Sequence, residues 1–184
     1  MQQNWKDPLF RLIWLVSASV LLLAGGARAA RYTWDIGTVW RGSARLARPD
    51  AAGPLQVVNL RNGSRFDILK GDAIVLVFNS SCAVCGDNVP RWVDLIDELE
   101  ESGKKADVYA IATDSLEQTA ITYMDGLKTL IPLVRPVNPD DLKRSFGETA
   151  VPLTAVVRGG KVVAVHLGVL GTWRRRALLR ALGD

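Results

Sequence analysis

The sequence predicts an α/β domain built around a mixed β-sheet. Of its 184 residues, 48% are hydrophobic and 23% are charged, a composition that suits a folded domain with a sizeable core. From residue 55 onward, apolar runs typical of strands alternate with stripes at helical spacing, and a hairpin and an amphipathic helix end the chain. Strand–helix alternation followed by a hairpin predicts a sheet with both parallel and antiparallel strands. We therefore expect one domain at residues 55–184, with a central mixed sheet flanked by helices.

The first predicted elements are a β-hairpin and a fully buried strand. Residues 55–60 and 65–69 flank Asn62-Gly63, a dipeptide that readily adopts the positive φ angles of a tight turn. Ala73–Phe78 is a continuous apolar run between polar turns, which is the pattern of a strand buried on both faces of a parallel sheet. We expect the hairpin to be an N-terminal extension of the domain.

Helix and strand patterns alternate through the rest of the chain. After residue 82, an apolar stripe at helical spacing predicts a helix that ends at Ser102-Gly103. Ser115 begins a sequence of the capping-box type, so we expect it to open the second helix, and we expect Asp114 to cap a helix. The further predicted elements are a strand at 108–112, the second helix to about residue 127, a strand at 131–134, a helix at 140–146, a hairpin of strands 153–157 and 161–167, and a closing helix at 172–182.

Residues 1–29 have the pattern of an export or anchoring segment. Residues 12–27 are 16 uncharged, mostly apolar residues between two arginines. This length is close to the ~17 residues that can span a bilayer, while the positive start and the small residues near Arg28 also match a cleavable signal peptide. Two alternatives follow. The protein is held in the inner membrane through residues 9–27 with its folded domain in the periplasm, or it is soluble in the periplasm after signal cleavage.

The residues after the apolar segment predict a linker, and the distribution of charge argues against a nucleic-acid-binding protein. Residues 30–54 are small, polar and interrupted by Gly and Pro, so we predict a linker. The formal net charge is +4, and three of these charges belong to residues 1–31. The folded part is therefore almost neutral and offers no broad basic surface for nucleic acid.

The motif that carries chemistry is Cys82-Ala83-Val84-Cys85. It follows a buried strand and begins a helix, where open α/β sheets place their sites and where the helix dipole favours a thiolate. We expect Cys82 to be the exposed nucleophile and Cys85, one turn inside, to resolve a mixed disulfide. With no further cysteine and only His166, which we expect to be a packed or edge residue, the usual four-ligand zinc sites are excluded. A static disulfide and half of a shared metal site remain as alternatives.

These features together resemble the thioredoxin superfamily, and within it the membrane-anchored or periplasmic TlpA-like thiol–disulfide oxidoreductases. The resemblance covers roughly residues 55–184. Pro90, five residues after Cys85, matches the proline that kinks the family's active-site helix, and Val151-Pro152 looks like the family's cis-proline loop before its terminal hairpin. The resemblance implies a thioredoxin-like fold, a cis bond at Val151–Pro152 opposite Cys82, and a Val151 backbone that pairs with an extended segment of the client.

The resemblance also implies a function. It predicts an extracytoplasmic thiol–disulfide oxidoreductase that exchanges electrons with thiols or disulfides of client proteins and with a membrane redox partner, without any cofactor or metal. Leu76 and Asn88 stand where family members carry buried acids that accept or relay the proton of the second cysteine, so the sequence leaves the rate of turnover open. Two alternatives remain: a thioredoxin-fold accessory protein that matures one client, such as a c-type cytochrome or a periplasmic dehydrogenase subunit, and a binding module with an inert disulfide.

Overall fold

The computed structural model of the protein describes residues 53–127 and 130–183. The anchor or signal segment predicted at residues 1–29 lies outside the described residues, and so does the predicted linker up to residue 52. Within the two described ranges, no helix combines the length and the apolar character that a membrane crossing requires.

Strands and helices follow one another in the predicted order. Each bound lies within two residues of the prediction, because the hydrophobic period and the turn residues act locally. In chain order the elements are β1 (Gln56–Asn59), β2 (Arg65–Asp67), β3 (Ala73–Phe78), α1 (Ala83–Glu101), β4 (Asp107–Ala112), α2 (Glu117–Gly126), β5 (Leu133–Pro136), α3 (Asp140–Phe146), β6 (Leu153–Arg158), β7 (Lys161–Leu167) and α4 (Thr172–Ala181).

The strands form one mixed sheet, as the sequence predicts. Its order is β2-β1-β5-β4-β3-β6-β7, with β3, β4 and β5 parallel to one another and the other neighbours antiparallel. The hairpin of β1 and β2 turns at Gly63, whose φ is 70°, and adds two strands to the sheet beyond β5. The predicted N-terminal extension is therefore confirmed, and β3 stands between β4 and β6 inside the sheet.

Strand β3 separates two hydrophobic cores. Successive side chains of a strand point to opposite faces of the sheet, so each face receives alternate residues of β3. Ile74 and Phe78 pack in the core that includes residues of α1, α2 and α4, whereas Val75 and Val77 pack in the core that includes residues of α3 and of the N-terminal hairpin. All six residues of β3 are buried, which confirms the prediction of a strand covered on both faces.

Neither predicted cap of the second helix is observed. The N-cap residue of α2 is Leu116, which makes no side-chain capping hydrogen bond, so the prediction that Ser115 opens this helix as a cap is wrong. The prediction that Asp114 caps a helix is also wrong, because its carboxylate accepts hydrogen bonds from the backbone N–H of Ser80, at 3.1 and 3.2 Å, and from the Ser80 hydroxyl. The reason is tertiary: β3 and β4 are parallel neighbours, so the loops that follow them lie side by side.

Candidate active site

The two cysteines lie at the junction between β3 and α1. Residues 79–81 form a short loop after β3, and α1 begins at Ala83 with Cys82 as its N-cap residue. The Asn79 side-chain oxygen accepts hydrogen bonds from the backbone N–H and the hydroxyl of Ser81, at 3.0 and 2.5 Å. The backbone N–H of Cys82 donates to the Asn79 carbonyl at 3.1 Å. These bonds reverse the chain at the end of the strand, so both cysteines fall in or next to the first turn of the helix.

The two thiols differ in exposure. Cys82 is half-buried, whereas Cys85 is fully buried, and neither forms a disulfide in this structure. The backbone N–H of Cys85 donates to the Cys82 carbonyl at 3.0 Å, which is the first hydrogen bond of the helical turn. Cys82 is therefore the more accessible of the two thiols, as expected for an outer and an inner thiol.

Burial raises the pKa of the Cys85 thiol from 9.0 to about 12. Loss of solvation is the largest cause, and a hydrogen bond from the Asn79 backbone acts in the opposite direction. The neighbouring Cys82 and the carboxylate of Asp114 raise this pKa further. Cys85 is therefore a protonated thiol at neutral pH and must lose its proton before it can act as a nucleophile.

The loop before β6 faces the outer thiol. The peptide bond between Val151 and Pro152 is cis, which confirms the geometry that the resemblance implied. The Val151 carbonyl oxygen lies 4.0 Å from the Cys82 Sγ. Two residues past the proline, the buried Thr154 hydroxyl accepts a hydrogen bond at 2.9 Å from the indole N–H of Trp92 on α1. This bond connects the helix that carries the cysteines to the strand that carries the cis-proline loop.

Tyr123 on α2 also belongs to this site, although the sequence reasoning did not select it. Its ring stacks on Phe78, the last residue of β3, with centroids 5.5 Å apart. Its hydroxyl oxygen lies 4.0 Å from the point where a Cβ on Gly86 would stand, which is against the first turn of α1. The pKa of this phenol is raised, chiefly by burial and then by the charges of the two cysteines and Asp114. The sequence shows a tyrosine on a helix and contains no signal of which strand end it faces.

The two positions at which the resemblance leads one to expect buried acids contain no carboxylate here. Leu76 is an apolar core residue that is 1% exposed. Asn88 is fully buried on α1, and its side-chain oxygen accepts the backbone N–H of Leu170 at 2.7 Å. Its amide nitrogen has no hydrogen-bond partner among the described residues. Asn88 thus connects α1 to the loop after β7, and its side chain has no carboxylate that could accept or relay the proton of Cys85. Pro90 lies inside α1, as the resemblance implied.

His166 lies on β7 and is only 3% exposed, so it is a packed residue, as predicted. One ring nitrogen lies 3.0 Å from the Val169 carbonyl oxygen, and burial lowers the pKa of the ring. Among residues 53–127 and 130–183, no group of three or more His, Cys, Asp or Glu side chains is placed to hold a metal ion.

Comparison with known proteins identifies the fold through structure. No protein-family model matches the chain, and no curated protein matches it by sequence. The thioredoxin domain of a thiol-disulfide oxidoreductase from Bacteroides vulgatus aligns with a TM-score of 0.61 and 18% identity, over 75% of this chain and 99% of that chain. A thiol:disulfide interchange protein of the thioredoxin family from Chlorobium tepidum TLS aligns with a TM-score of 0.58 and 22% identity, over 74% and 99% of the two chains.

A third similar structure is the pneumococcal exposed lipoprotein thioredoxin from Streptococcus pneumoniae. It aligns with a TM-score of 0.54 and 18% identity, over 71% of this chain and 98% of that chain. The protein therefore has a thioredoxin-like α/β fold, which is the fold that the resemblance implied.

Proposed function

We propose that the protein is a thiol–disulfide oxidoreductase whose dithiol, Cys82 and Cys85, exchanges with thiols or disulfides of client proteins. The observation that supports this proposal most directly is the pairing of an outer thiol at a helix start with an inner thiol one turn on, beside a cis-proline loop. The Val151 carbonyl lies 4.0 Å from the outer sulfur. The proposal needs no cofactor, because the sulfur atoms themselves carry the electrons.

In the proposed reaction, the Cys82 thiolate attacks a client disulfide. A mixed disulfide forms between Cys82 and one client sulfur, and the other client sulfur leaves as a thiolate. Cys85 then attacks the Cys82 sulfur, the Cys82–Cys85 disulfide forms, and the client leaves fully reduced. The same steps in reverse oxidise a client dithiol, so the arrangement serves either direction.

Val151 and Pro152 are proposed to dock the client. Proline has no backbone N–H, so position 152 places no backbone donor beside the attacking sulfur. The backbone of Val151 is proposed to pair with an extended segment of the client, as strands pair at an open sheet edge. Such pairing would hold the client disulfide in line with the Cys82 sulfur.

We propose an extracytoplasmic setting for this reaction. Residues 1–29 serve as a signal-anchor or signal peptide, residues 30–54 as a linker, and residues 55–184 as the thioredoxin-like domain. A membrane redox partner renews the cysteine pair. The name of one structural neighbour, an exposed lipoprotein thioredoxin, supports this setting by analogy. A reporter enzyme fused after residue 184 should be active only outside the cytoplasm, and activity confined to the cytoplasm would contradict the proposal. Extraction of the membranes with carbonate separates the two alternatives, because only a cleaved, soluble chain is released.

The decisive experiment traps the mixed disulfide. In the full-length chain, Cys85→Ser should accumulate covalent adducts with client proteins that a reductant releases, whereas Cys82→Ser should accumulate far fewer. Purified wild-type protein should also reduce a model disulfide with turnover when a dithiol is supplied. Absence of adducts in Cys85→Ser, together with absence of turnover in the wild type, would leave the inert-disulfide alternative. Adducts with one client alone would favour the dedicated accessory protein.

A further inference from the structure

Attack by Cys85 requires a buried thiol to ionise. Its pKa of about 12 means that burial strongly opposes the charged form. The site must therefore hold a group that stabilises the thiolate at the moment of attack, or resolution of the mixed disulfide would be slow. Leu76 cannot do so because its side chain is apolar. The Asn88 side-chain oxygen already accepts the Leu170 N–H, so only its unpartnered amide nitrogen is left as a possible donor. The negative charge of Asp114 acts in the wrong direction, because it raises the pKa of Cys85.

Tyr123 is a donor from a second element whose position and chemistry fit this requirement. Stacking on Phe78 fixes the ring, and the hydroxyl oxygen lies against the first turn of α1, 4.0 Å from the Cβ position of Gly86, the residue after Cys85. Among the described residues, the Tyr123 hydroxyl makes no hydrogen bond. The nearby carboxylate of Asp114 already accepts hydrogen bonds from the N–H and the hydroxyl of Ser80, so the phenol remains available as a donor next to the turn that contains Cys85.

We propose that the Tyr123 hydroxyl donates a hydrogen bond to the Cys85 thiolate and thereby promotes the resolving attack on the mixed disulfide. This inference rests on the proposed function. No such bond is formed among the described residues while Cys85 is a thiol, and we expect it to form as negative charge develops on sulfur. A hydrogen bond that forms only with the charged species lowers the barrier without stabilising the resting state.

The proposed step balances in atoms and electrons. The Cys85 proton passes to solvent, the Cys85 thiolate attacks the Cys82 sulfur, and the Cys82–Cys85 bond forms. The bond from Cys82 to the client sulfur breaks, and that sulfur leaves as a thiolate that takes up a proton. Two electrons have then moved from the cysteine pair to the client disulfide. Tyr123 keeps its own proton throughout, because burial and the neighbouring negative charges raise the pKa of the phenol above its ordinary value of 10.0.

The titratable groups that face Tyr123 come from two elements. Cys82 and Cys85 belong to the N-terminal end of α1, and Asp114 belongs to the loop between β4 and α2. When charged, all three groups raise the pKa of the phenol. They keep the phenol protonated, so across neutral pH it is a hydrogen-bond donor and not a base.

Tyr123→Phe tests this inference, because it removes the hydroxyl and keeps the ring on Phe78. Reduced full-length protein is mixed with excess 5,5′-dithiobis(2-nitrobenzoate), and release of the coloured thiolate is followed in a stopped-flow instrument. The first phase, attack by Cys82, depends on reagent concentration. The second phase, attack by Cys85 within the protein, does not. We expect Tyr123→Phe to slow the second phase about 10-fold and to leave the first phase unchanged; a factor of ten is about 1.4 kcal/mol, close to the lower end of what a hydrogen bond to a charged group contributes.

The pH profile and a matched variant separate this role from a structural one. A 10-fold loss corresponds to an upward shift of about one unit in the pH dependence of the second phase. Tyr109→Phe is the control, because the Tyr109 ring packs against Phe66 at a 43° tilt and its hydroxyl donates to Asp107 at 3.1 Å, at the other end of β4. An unchanged second phase in Tyr123→Phe, or equal slowing of both phases, would overturn the inference. Absence of the second phase in the wild type would instead overturn the proposed function.

Discussion

Alkylation of Cys85 should remain much slower than that of an ordinary cysteine, even at pH values well above neutral. The reacting species is the thiolate, and its fraction follows from the pKa of about 12. At pH 9, a thiol of pKa 12 is ionised to roughly one part in 1000, whereas a thiol of pKa 9.0 is half ionised. Ionisation alone should therefore slow alkylation of Cys85 about 500-fold relative to an ordinary cysteine, and burial of the sulfur should slow it further.

The assay reduces the full-length protein, exposes it to iodoacetamide between pH 7 and 10, and locates the label by mass spectrometry. We expect label on Cys82 well before Cys85, and equal labelling of both once the protein is unfolded in denaturant. In Cys82→Ser, the pKa of Cys85 should fall somewhat, since Cys82 contributes to the upward shift, but burial should keep it above 9.0. Equal rates for the two cysteines in the folded wild type at pH 8 would refute both the inner position of Cys85 and its suppressed ionisation.

Three further predictions concern stability. Thr154→Val should lower the free energy of unfolding by about 1–3 kcal/mol in urea titrations, because it leaves the buried Trp92 indole N–H without its acceptor. An unchanged free energy of unfolding would contradict a stabilising role for this hydrogen bond. Burial lowers the pKa of His166 below 6.5, so the stability contributed by the neutral ring is present above that pH and is lost as the pH falls. The free energy of unfolding, measured at pH 7.5 and 5.5, should therefore change less with pH in His166→Gln than in the wild type. Gly147→Ala should cost about 1–2 kcal/mol because φ is 74° there, whereas Gly71→Ala, also in open space but without a positive φ, should be nearly neutral in the same titration.

The sequence is a reliable guide where local patterns decide the structure. The apolar run Ala73–Phe78 is a buried strand, and the cysteine motif begins the helix that follows it. The Asn62-Gly63 pair forms the predicted turn, with a φ of 70° at Gly63. Each of these features depends on hydrophobic period, turn chemistry or the order of adjacent elements, and all three are properties of contiguous residues.

Local rules fail at the start of α2. The capping-box pattern at Ser115 predicts a cap that is not formed, and Asp114 bonds Ser80 in place of a helix end. Asp114 and Ser80 are 34 positions apart in the chain. A carboxylate takes the strongest donors within its reach. Here the loop after the neighbouring parallel strand supplies a backbone N–H and a hydroxyl that no inspection of residues 113–118 would reveal.

The sequence by itself determined the fold class, the position of the cysteine pair at a strand–helix junction, and the proline that the cis loop contains. Only the tertiary structure decided how deeply Cys85 is buried, how close the Val151 carbonyl lies to the Cys82 sulfur, and which phenol lies against the first turn of α1. The physical reason is the pairing of β3, which is parallel to β4 and antiparallel to β6, so that the loop after β4 and the loop before β6 lie at the same end of the sheet as the cysteines. Electrostatic effects depend on separation in space and on exclusion of water, and neither can be read from the order of residues.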